Sequence, residues 1–404
     1  MNAIRRQFFL SYAVIGSVMP LMSVFLREEA GFSFFQVGLA TALMNIPMIC
    51  SPALITLLAD RNLDPRRILA VAFTCSATVL SLIYFSGSTV LTLALFIFHG
   101  LAFVAMIPLQ DGYYFSLAEQ ARKKGRPVLT YPLVRVWGTV GFILPSVILF
   151  VPLSRGASAG AILPCAVGFC LLSIANSFTL FPVERISGAA KQLPTVKALR
   201  MLFSPGGRWL CVGLFFAFLA TTSYYSFIGI YFDEVIGIPK RHIGLIINLG
   251  VVLEIGYTLL MPWMQSKIRL KGIMVLGLTT MVVRMVVLAL FPTYTAAILT
   301  QVFHGIEVLA IFVGPVMFLD RLAGDEFRNS IQGVFTMAVG GTSRVIAGVL
   351  AGLIVTHLGL TGGLVFGAAL GCVSVFVIAF LFARIPPRNE SGNGEITVSP
   401  AVES

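Results

Sequence analysis

The chain has 404 residues, of which 57% are hydrophobic and 11% are charged, and its formal net charge is +11. A soluble globular protein carries about 25% charged residues, so this composition indicates a polytopic membrane protein. The basic residues lie in short segments between apolar runs, which indicates membrane topology and not nucleic-acid binding. The six cysteines all lie within apolar runs and lack ligand spacing, so we expect no metal site and no cofactor.

Apolar runs long enough to cross a membrane follow one another along the chain. The first run follows Arg5 and Arg6 and is too long for the hydrophobic region of a signal peptide, so we expect an uncleaved first helix. The predicted spans, numbered 1 to 12, are 8–26, 36–59, 68–85, 89–118, 131–152, 160–181, 208–232, 242–265, 273–291, 295–319, 329–356 and 362–383.

The longest internal polar segment divides the chain into two halves that resemble each other. Phe98-His99-Gly100 aligns with Phe303-His304-Gly305 at an offset of 205 residues. Repeats of this length predict two bundles that face each other across a central axis. The predicted parts are an N-terminal six-helix bundle at 1–181, a cytoplasmic linker at 182–207, a C-terminal six-helix bundle at 208–383 and a disordered cytoplasmic tail at 384–404.

The distribution of lysine and arginine orients the predicted spans. With the N-terminus in the cytoplasm, 21 of the 28 basic residues lie in cytoplasmic segments and 4 lie on the opposite side. Basic residues accumulate on the cytoplasmic side of membrane proteins. We therefore expect an inner (plasma) membrane protein with both termini in the cytoplasm.

The segment between spans 2 and 3 carries an acidic residue followed by several basic ones: Asp60, Arg61, Arg66 and Arg67. Together with the tandem six-helix halves, this segment resembles the loop signature of the major facilitator superfamily. The resemblance implies that Asp60 pairs with a neighbouring helix end and stabilises one conformation. The alternative is an ordinary basic cytoplasmic loop.

Six charged residues lie inside predicted spans, where a charge costs roughly 2.5–3.5 kcal/mol on insertion scales. Equal numbers of cations and anions suggest that they pair with one another. They are Arg135, Arg284, Arg344, Asp111, Glu254 and Glu307.

Three ionisable residues lie at similar depths in spans 9 and 10. Arg284 precedes the short loop at Thr293 by nine residues, and His304 and Glu307 follow it by eleven and fourteen. A rise of 1.5 Å per residue places all three roughly 13–21 Å deep. They can therefore meet near the membrane midplane, either as a proton site or as a static structural ion pair.

These residues resemble the Arg, His-x-x-Glu proton-coupling cluster of lactose permease. The resemblance implies solute:proton symport, with Glu307 as the proton carrier and His304 and Arg284 tuning it. Glu254, twelve residues into span 8, either pairs with Arg284 or Arg344 or is second in line to carry the proton. His99 lacks an acid three residues on, because Ala102 stands there, and we interpret it as structural.

Two further elements resemble the branch that contains phenylpropionate permease and the nucleoside:proton symporters. They are Arg135-Val-Trp137-Gly138-Thr-Val-Gly141-Phe142 in span 5 and Pro108-x-x-Asp111 in span 4. This resemblance implies the all-α major facilitator fold and alternating access about a central site. It also implies a small organic solute: a sugar, a nucleoside or an aromatic acid.

We expect the solute to bind among polar and aromatic residues of spans 4, 5 and 7. A bidentate arginine suits a carboxylate or a pair of sugar hydroxyls, and an aromatic ring can stack on a sugar or a base. The alternatives are a snorkelling arginine with a structural partner, and a packed aromatic. The candidates are Asp111, Arg135, Trp137, Tyr224 and Tyr225.

Two other functions compete with symport. Export of metabolites or drugs uses the same fold, but span 5 lacks the Gly-Pro element with paired glycines of proton-driven exporters. A non-transporting sensor would need larger cytoplasmic segments. Since the chain has no Walker loop and no nucleophile-His-acid set, we do not expect an enzyme. The expected partners are the solute, protons and the bilayer, without nucleic acid, and the protein is expected to work as a monomer.

Overall fold

The computed structural model describes residues 2–60, 64–125, 130–182 and 196–382, without the side chains of 51–60, 105, 108, 132, 321 and 323–330. Every regular element in these ranges is a helix. The predicted tail and half of the predicted linker, residues 183–195, lie outside the described residues. The C-terminal end of the linker contains a short helix, Val196–Leu202.

Span 1 of the N-terminal half consists of two helices, because the chain breaks at 19–21 around Pro20, which has no backbone N–H to donate. Span 3 begins with Asp64 as its N-cap and Pro65 in its first turn, both favourable at a helix start. The α-helices of this half are Asn2–Val18, Met22–Glu28, Phe34–Asp60, Pro65–Phe85, Thr89–Lys123, Tyr131–Ser154 and Ile162–Ser177.

The C-terminal half contains wider π turns within its helices, and all four π turns of the described chain lie in this half. Single π turns are common at functional sites. The α-helices of this half are Arg208–Ile230, Lys240–Leu290, Tyr294–Leu299, His304–Val308, Gly314–Phe335 and Thr342–Phe376. The π turns are Tyr231–Val235, Leu309–Val313, Thr336–Gly341 and Val377–Leu381.

Nine described segments are long and apolar enough to cross a membrane, and Phe34–Cys50 is a shorter apolar helix. Two of the nine, Lys240–Leu290 and Ile331–Leu381, have 51 residues each. A straight helix of that length would measure roughly 75 Å, more than twice the thickness of a hydrocarbon core. Both contain one non-helical residue, at Arg269 and at Gly359. These interruptions support two crossings in each segment, and the count of twelve stays a prediction.

The predicted loop between spans 10 and 11 is helical in the structure. The helix Gly314–Phe335 continues through the position where 320–328 was expected to form a loop. Its polar residues led to the expectation of a loop, but the segment from 316 to 335 contains no proline and a single internal glycine before residue 333, so nothing in its composition ends a helix.

The two halves approach each other closely where spans 2 and 11 cross. A Cβ on Gly38 would lie 2.3 Å from the Gly348 carbonyl oxygen, and one on Gly348 would lie 2.6 Å from the Ala42 nitrogen. Gly352 packs against the same face of span 2. Gly348 and Gly352 give span 11 a small-residue face that contacts the other half, as in other membrane helix pairs.

Two ion pairs also join the halves at the end predicted to face outward. Nε of Arg27 lies 3.4 Å from a Glu234 carboxylate oxygen. Lys240 donates to the Glu28 carboxylate. Arg27 and Glu28 end span 1, whereas Glu234 and Lys240 flank the turn between spans 7 and 8, so the pairs form a latch across the two halves.

Candidate functional site

A cavity of about 360 Å³, here called the central cavity, lies between the two halves. Spans 1, 2 and 4 line it on one side, and spans 7, 10 and 11 line it on the other. Its volume falls within the range of roughly 300–1,000 Å³ that is typical of small-molecule sites. The polar residues on its wall are Ser23, Thr41, Asn45, His99, Thr221, Thr222, Tyr225, Ser226, His304, Glu307 and Arg344.

Arg284 and Glu307 form an ion pair that is almost completely removed from solvent. Nη1 of Arg284 donates to Oε2 of Glu307 at 3.1 Å, and the two side chains are 2% and 3% exposed. Nη2 of Arg284 donates to Oε1 of Gln301 at 3.0 Å. A buried charge without a partner is costly, so these bonds hold Arg284 in place. Of the predicted pairings between arginines and acids within the spans, this is the one that the described side chains form.

A chain of contacts leads from this ion pair to Glu254. Nη1 of Arg284 lies 3.5 Å from the Tyr225 hydroxyl, and that hydroxyl shares a hydrogen bond of 2.8 Å with Nδ1 of His304. Nε2 of His304 lies 3.7 Å from Oε2 of Glu254. We call the six residues Glu307, Gln301, Arg284, Tyr225, His304 and Glu254 the span 10 network. Glu254, considered as a partner for Arg284 or Arg344, contacts His304 instead.

Glycines allow spans 8 and 10 to approach closely enough for this contact. A Cβ on Gly305 would lie 2.4 Å from Cδ2 of Tyr257 and 2.8 Å from the Glu254 backbone. A Cβ on Gly250 would lie 2.8 Å from the His304 Cβ. Side chains at either position would separate His304 from Glu254, so the local sequence is matched to the network.

Tyr224 supports the network from outside the cavity wall. Its ring lies 4.5 Å from the Arg284 guanidinium and is perpendicular to the ring of Tyr225. Its hydroxyl is buried and has no hydrogen-bond partner in the described chain. Of the five predicted solute-binding residues, Tyr225 is the one that lines the central cavity.

Asp111 and Arg135 belong to a second cluster in the N-terminal half. The Tyr131 hydroxyl donates to Oδ1 of Asp111 at 2.7 Å, and the Arg135 guanidinium lies 4.1 Å above the Tyr12 ring. Arg135 and Asp111 form no ion pair with each other in the described chain. Trp137 is 42% exposed. Asp111, Arg135 and Trp137 do not line the central cavity, and their role in solute binding stays a prediction.

His99 lies on the opposite wall of the cavity from His304. It is 2% exposed, and its Nδ1 is 3.3 Å from the Ser76 hydroxyl. Its ring also lies beside that of Phe103. These contacts support the interpretation of His99 as a structural residue.

The segment between spans 2 and 3 is described only in part. The Asp60 side chain and Arg61 lie outside the described part of the chain. The Arg66 guanidinium pairs with Asp64 and donates to the Leu180 carbonyl at 3.1 Å, which ties span 3 to the end of span 6. These hydrogen bonds hold the pKa of the Asp64 carboxyl below its usual range.

Sequence reasoning missed Gln301 and Tyr12 as members of these clusters. Gln301 is fully buried, and its amide nitrogen donates to the Ala297 carbonyl at 2.8 Å while its oxygen accepts from Arg284. A polar amide inside an apolar run was the available signal. Tyr12 had no comparable signal, because tyrosine is common in membrane helices.

Known proteins resemble this chain over almost its whole length. Xanthosine permease of Escherichia coli K12 is 22% identical over 416 residues, covering 94% of this chain and 96% of that protein. Maltose permease of Geobacillus stearothermophilus is 24% identical, covering 93% of each. The crystal structure of the nucleoside transporter NupG superposes with a TM-score of 0.82 at 17% identity, covering 95% of this chain and 99% of that one.

The structural match confirms the predicted fold, an all-α major facilitator architecture. The relatives are permeases and not enzymes, in agreement with the prediction of a multi-pass membrane protein that transports a solute. The model of the MFS_1 like family matches residues 3–362. The chain therefore belongs to the MFS_1 like family of membrane transporters.

Proposed function

We propose that this protein is a solute:proton symporter that takes up a nucleoside through the central cavity by alternating access. The observation that carries the proposal is the position of Glu307, which lines the cavity and is also ion-paired with the buried Arg284. One carboxylate therefore borders both the solute space and the span 10 network. Binding of a proton at Glu307 would cancel its charge and release Arg284 from the pair.

The network offers a route by which that change reaches other helices. Arg284 on span 9 contacts Tyr225 on span 7, Tyr225 contacts His304 on span 10, and His304 contacts Glu254 on span 8. Loss of the Glu307 charge alters what Arg284 must pair with, and each further contact is then free to rearrange. Glu307 is the proposed carrier, His304 and Arg284 tune it, and Glu254 is second in line.

The cavity wall suits a solute with an aromatic ring and several hydroxyl groups. Phe96, Phe103, Phe218 and Phe312 provide apolar ring faces. Thr41 and Asn45 on span 2 and Ser226 on span 7 provide hydrogen-bonding groups from both halves, as orientation of a ribose would require. Nucleosides are what the names of xanthosine permease and of NupG describe, whereas a sugar would follow maltose permease.

The cluster around Asp111 and Arg135 is also part of the proposed mechanism. Asp111 and Arg135 lie on spans 4 and 5, where they contact Tyr131 and the Tyr12 ring. Movement of one half against the other would bring these groups into new contacts, either with solute or as a gating pair. The basic residues support an inner-membrane location with both termini in the cytoplasm, and we propose a functional monomer.

Uptake into proteoliposomes tests the proposal. We expect accumulation of labelled uridine or xanthosine under an inward proton gradient, and none without a gradient. In Glu307→Gln, proton-driven accumulation should be lost, while exchange of labelled for unlabelled nucleoside continues. Glu119→Gln is the matched control, because Glu119 is half exposed and pairs with Lys123 on the surface. Accumulation that survives in Glu307→Gln removes Glu307 as the carrier, and accumulation only under an outward gradient identifies an exporter.

A further inference from the structure

Arg344 on span 11 is a charged residue of the cavity wall without a carboxylate partner among the described side chains. Its guanidinium lies 4.4 Å above the Phe218 ring and 5.9 Å from the Phe312 ring. Its Nη1 is 3.3 Å from the Gly340 carbonyl oxygen and 3.1 Å from Sδ of Met48.

These contacts use only some of the hydrogen-bond donors of the Arg344 guanidinium. The guanidinium has five N–H groups in a planar fork. The hydrogen bonds of Arg344 within the described chain all use Nη1, so Nε and Nη2 have no protein acceptor there. An aromatic ring offsets some of the cost of a desolvated cation, but an ionised group within a membrane protein normally has a counter-ion or a functional partner.

Two π turns direct these side chains into the cavity. Phe312 lies within the turn Leu309–Val313, and Arg344 follows the turn Thr336–Gly341 by three residues. One extra residue in a helical turn rotates the following side chains by about 100°. Without those turns, the regular continuation of spans 10 and 11 would present different faces to the cavity.

The other charged groups of the cavity wall already have partners. Glu307 is paired with Arg284, and His304 lies against Glu254. Arg344 therefore leaves an uncompensated positive charge beside two aromatic rings. We propose that Arg344, Phe218 and Phe312 form a subsite for the anionic group of an aromatic solute. This inference rests on the proposed function and narrows its substrate class to solutes that carry a negative charge.

The charge of the solute has a consequence for transport. One proton carried with a monoanion moves no net charge, whereas one proton carried with a neutral nucleoside moves one positive charge. A pH gradient should then drive uptake of the anion at zero membrane potential, and a membrane potential alone should not.

Competition by two matched pairs of compounds tests the subsite. At slightly alkaline pH xanthosine is a monoanion and inosine is neutral; 3-phenylpropionate is an anion and 3-phenylpropionamide is neutral. We expect the charged member of at least one pair to inhibit xanthosine exchange about tenfold more strongly, since a desolvated arginine binds an anion by charge-assisted hydrogen bonds. Which pair shows the preference tells whether the anionic group is a purine base or a carboxylate.

Substitutions of Arg344 assign the preference to this residue. In Arg344→Met the preference should fall to about one, and in Arg344→Lys it should fall only in part, because lysine keeps the charge but loses the fork. Arg208→Met is the matched control, since Arg208 lies over the Trp209 ring but is exposed and outside the cavity. If Arg344→Met does not fold, Arg344→Lys provides the test: a partial loss of the charge preference supports the subsite, and an unchanged preference overturns it.

Exchange requires no proton gradient, so this test is independent of symport. Equal inhibition by charged and neutral members in the unmodified protein overturns the subsite, and so does a preference that Arg344→Met retains. Thermal stabilisation of the purified protein by the same four compounds provides a second measurement. Stabilisation by none of them also overturns the proposal, whereas a charge preference without proton-driven accumulation overturns symport alone.

Discussion

The two halves place a histidine at equivalent positions of their repeat, but the surroundings differ. His99 in the N-terminal half lies against Ser76 and the Phe103 ring. His304 in the C-terminal half contacts Tyr225 and Glu254. Both line the central cavity from opposite walls. The equivalent histidine thus contacts a serine and a phenylalanine ring in one half and belongs to an ionisable network in the other.

The different surroundings of the two histidines indicate that the two halves of the repeat have different roles. Three residues after each histidine stands Ala102 in one half and Glu307 in the other. Only the C-terminal half then requires a buried arginine, and Arg284 is 2% exposed. The N-terminal half keeps its charged cluster around Asp111 and Arg135 away from the cavity wall.

The largest effect should follow removal of the arginine that the C-terminal half requires. In Arg284→Met, Glu307 and Gln301 lose their donors in a site closed to solvent. Breaking one side of a buried ion pair costs about 3–5 kcal/mol. We expect a marked fall in the melting temperature of the purified protein, together with loss of proton-driven accumulation.

A double substitution separates the charge from the volume. Arg284→Met with Glu307→Leu removes both charges, and replacement of a buried ion pair by apolar groups is often neutral or stabilising. The melting temperature should recover while proton-driven accumulation stays absent. A double variant as unstable as Arg284→Met would mean that the guanidinium matters through its packing on Tyr224 and not through its charge.

The next effect compares the two histidines directly. In His304→Ala, Tyr225 loses its 2.8 Å hydrogen bond and Glu254 loses the imidazole nitrogen that lies 3.7 Å away. A buried polar group left without its hydrogen-bond partner costs about 1–3 kcal/mol, or roughly 5–150-fold. We expect the initial rate of proton-driven uptake to fall within that range, measured with the same labelled nucleoside.

His99→Ala provides the opposite half of this comparison. It removes a ring that contacts Ser76 and Phe103 but no carboxylate. Uptake should stay within a few fold of the unmodified protein, with the effect appearing as a lower melting temperature. Equal losses of uptake in both variants would mean that the repeat has the same function in each half.

The ionisable part of the site was predictable because charged residues in apolar runs are few. Depth can be counted along a helix, and this predicted that Arg284, His304 and Glu307 lie near one another. In the structure Arg284 pairs with Glu307, and Tyr225 lies between Arg284 and His304. Counting residues does not show which face of a helix turns toward the other bundle. Asp111, Arg135 and Trp137 were therefore assigned to the solute site, although the structure places them away from the cavity wall.

The cavity wall itself depends on how the halves sit against each other. Asn45, Phe218 and Phe312 are ordinary membrane-helix residues, and only the packing of both bundles makes them neighbours. The π turns before Arg344 and around Phe312 shift the register within apolar sequence that shows no break. The repeat, by contrast, was visible from the sequence, because similar motifs recur at equivalent positions of the two halves.

A moderate effect should arise at two interruptions of the C-terminal half. Arg269 and Gly359 adopt nearly the same backbone conformation, with φ of 58° and 71° and ψ of 172° and 178°. This region is open to glycine and costs other residues about 1–3 kcal/mol. Arg269→Gly should therefore raise the melting temperature, and Gly359→Ala should lower it.

Steric contacts do not contribute to the expected effect of Gly359→Ala. A Cβ on Gly359 would have no neighbour within 4 Å, so its effect reports backbone conformation alone. Gly168→Ala is the control, because that glycine also has open space but lies in a regular helix with negative φ. Equal responses of Gly359→Ala and Gly168→Ala would show that the Gly359 interruption carries no strain.

The smallest effect should come from the latch between the halves, where charges are partly exposed. The four side chains of the Arg27–Glu234 and Glu28–Lys240 pairs are 31–37% exposed. Pairs screened by solvent contribute about 0–1 kcal/mol, so Lys240→Gln should shift the balance toward an outward-open state by up to about fivefold. Labelling of Met19→Cys on the cavity wall by a membrane-impermeant thiol reagent, in a chain without its native cysteines, measures that balance. The double variant Lys240→Glu with Glu28→Lys exchanges the charges and should restore the original labelling rate. If Lys240→Gln does not change the labelling rate, the glycine contacts of spans 2 and 11 are sufficient to close this end.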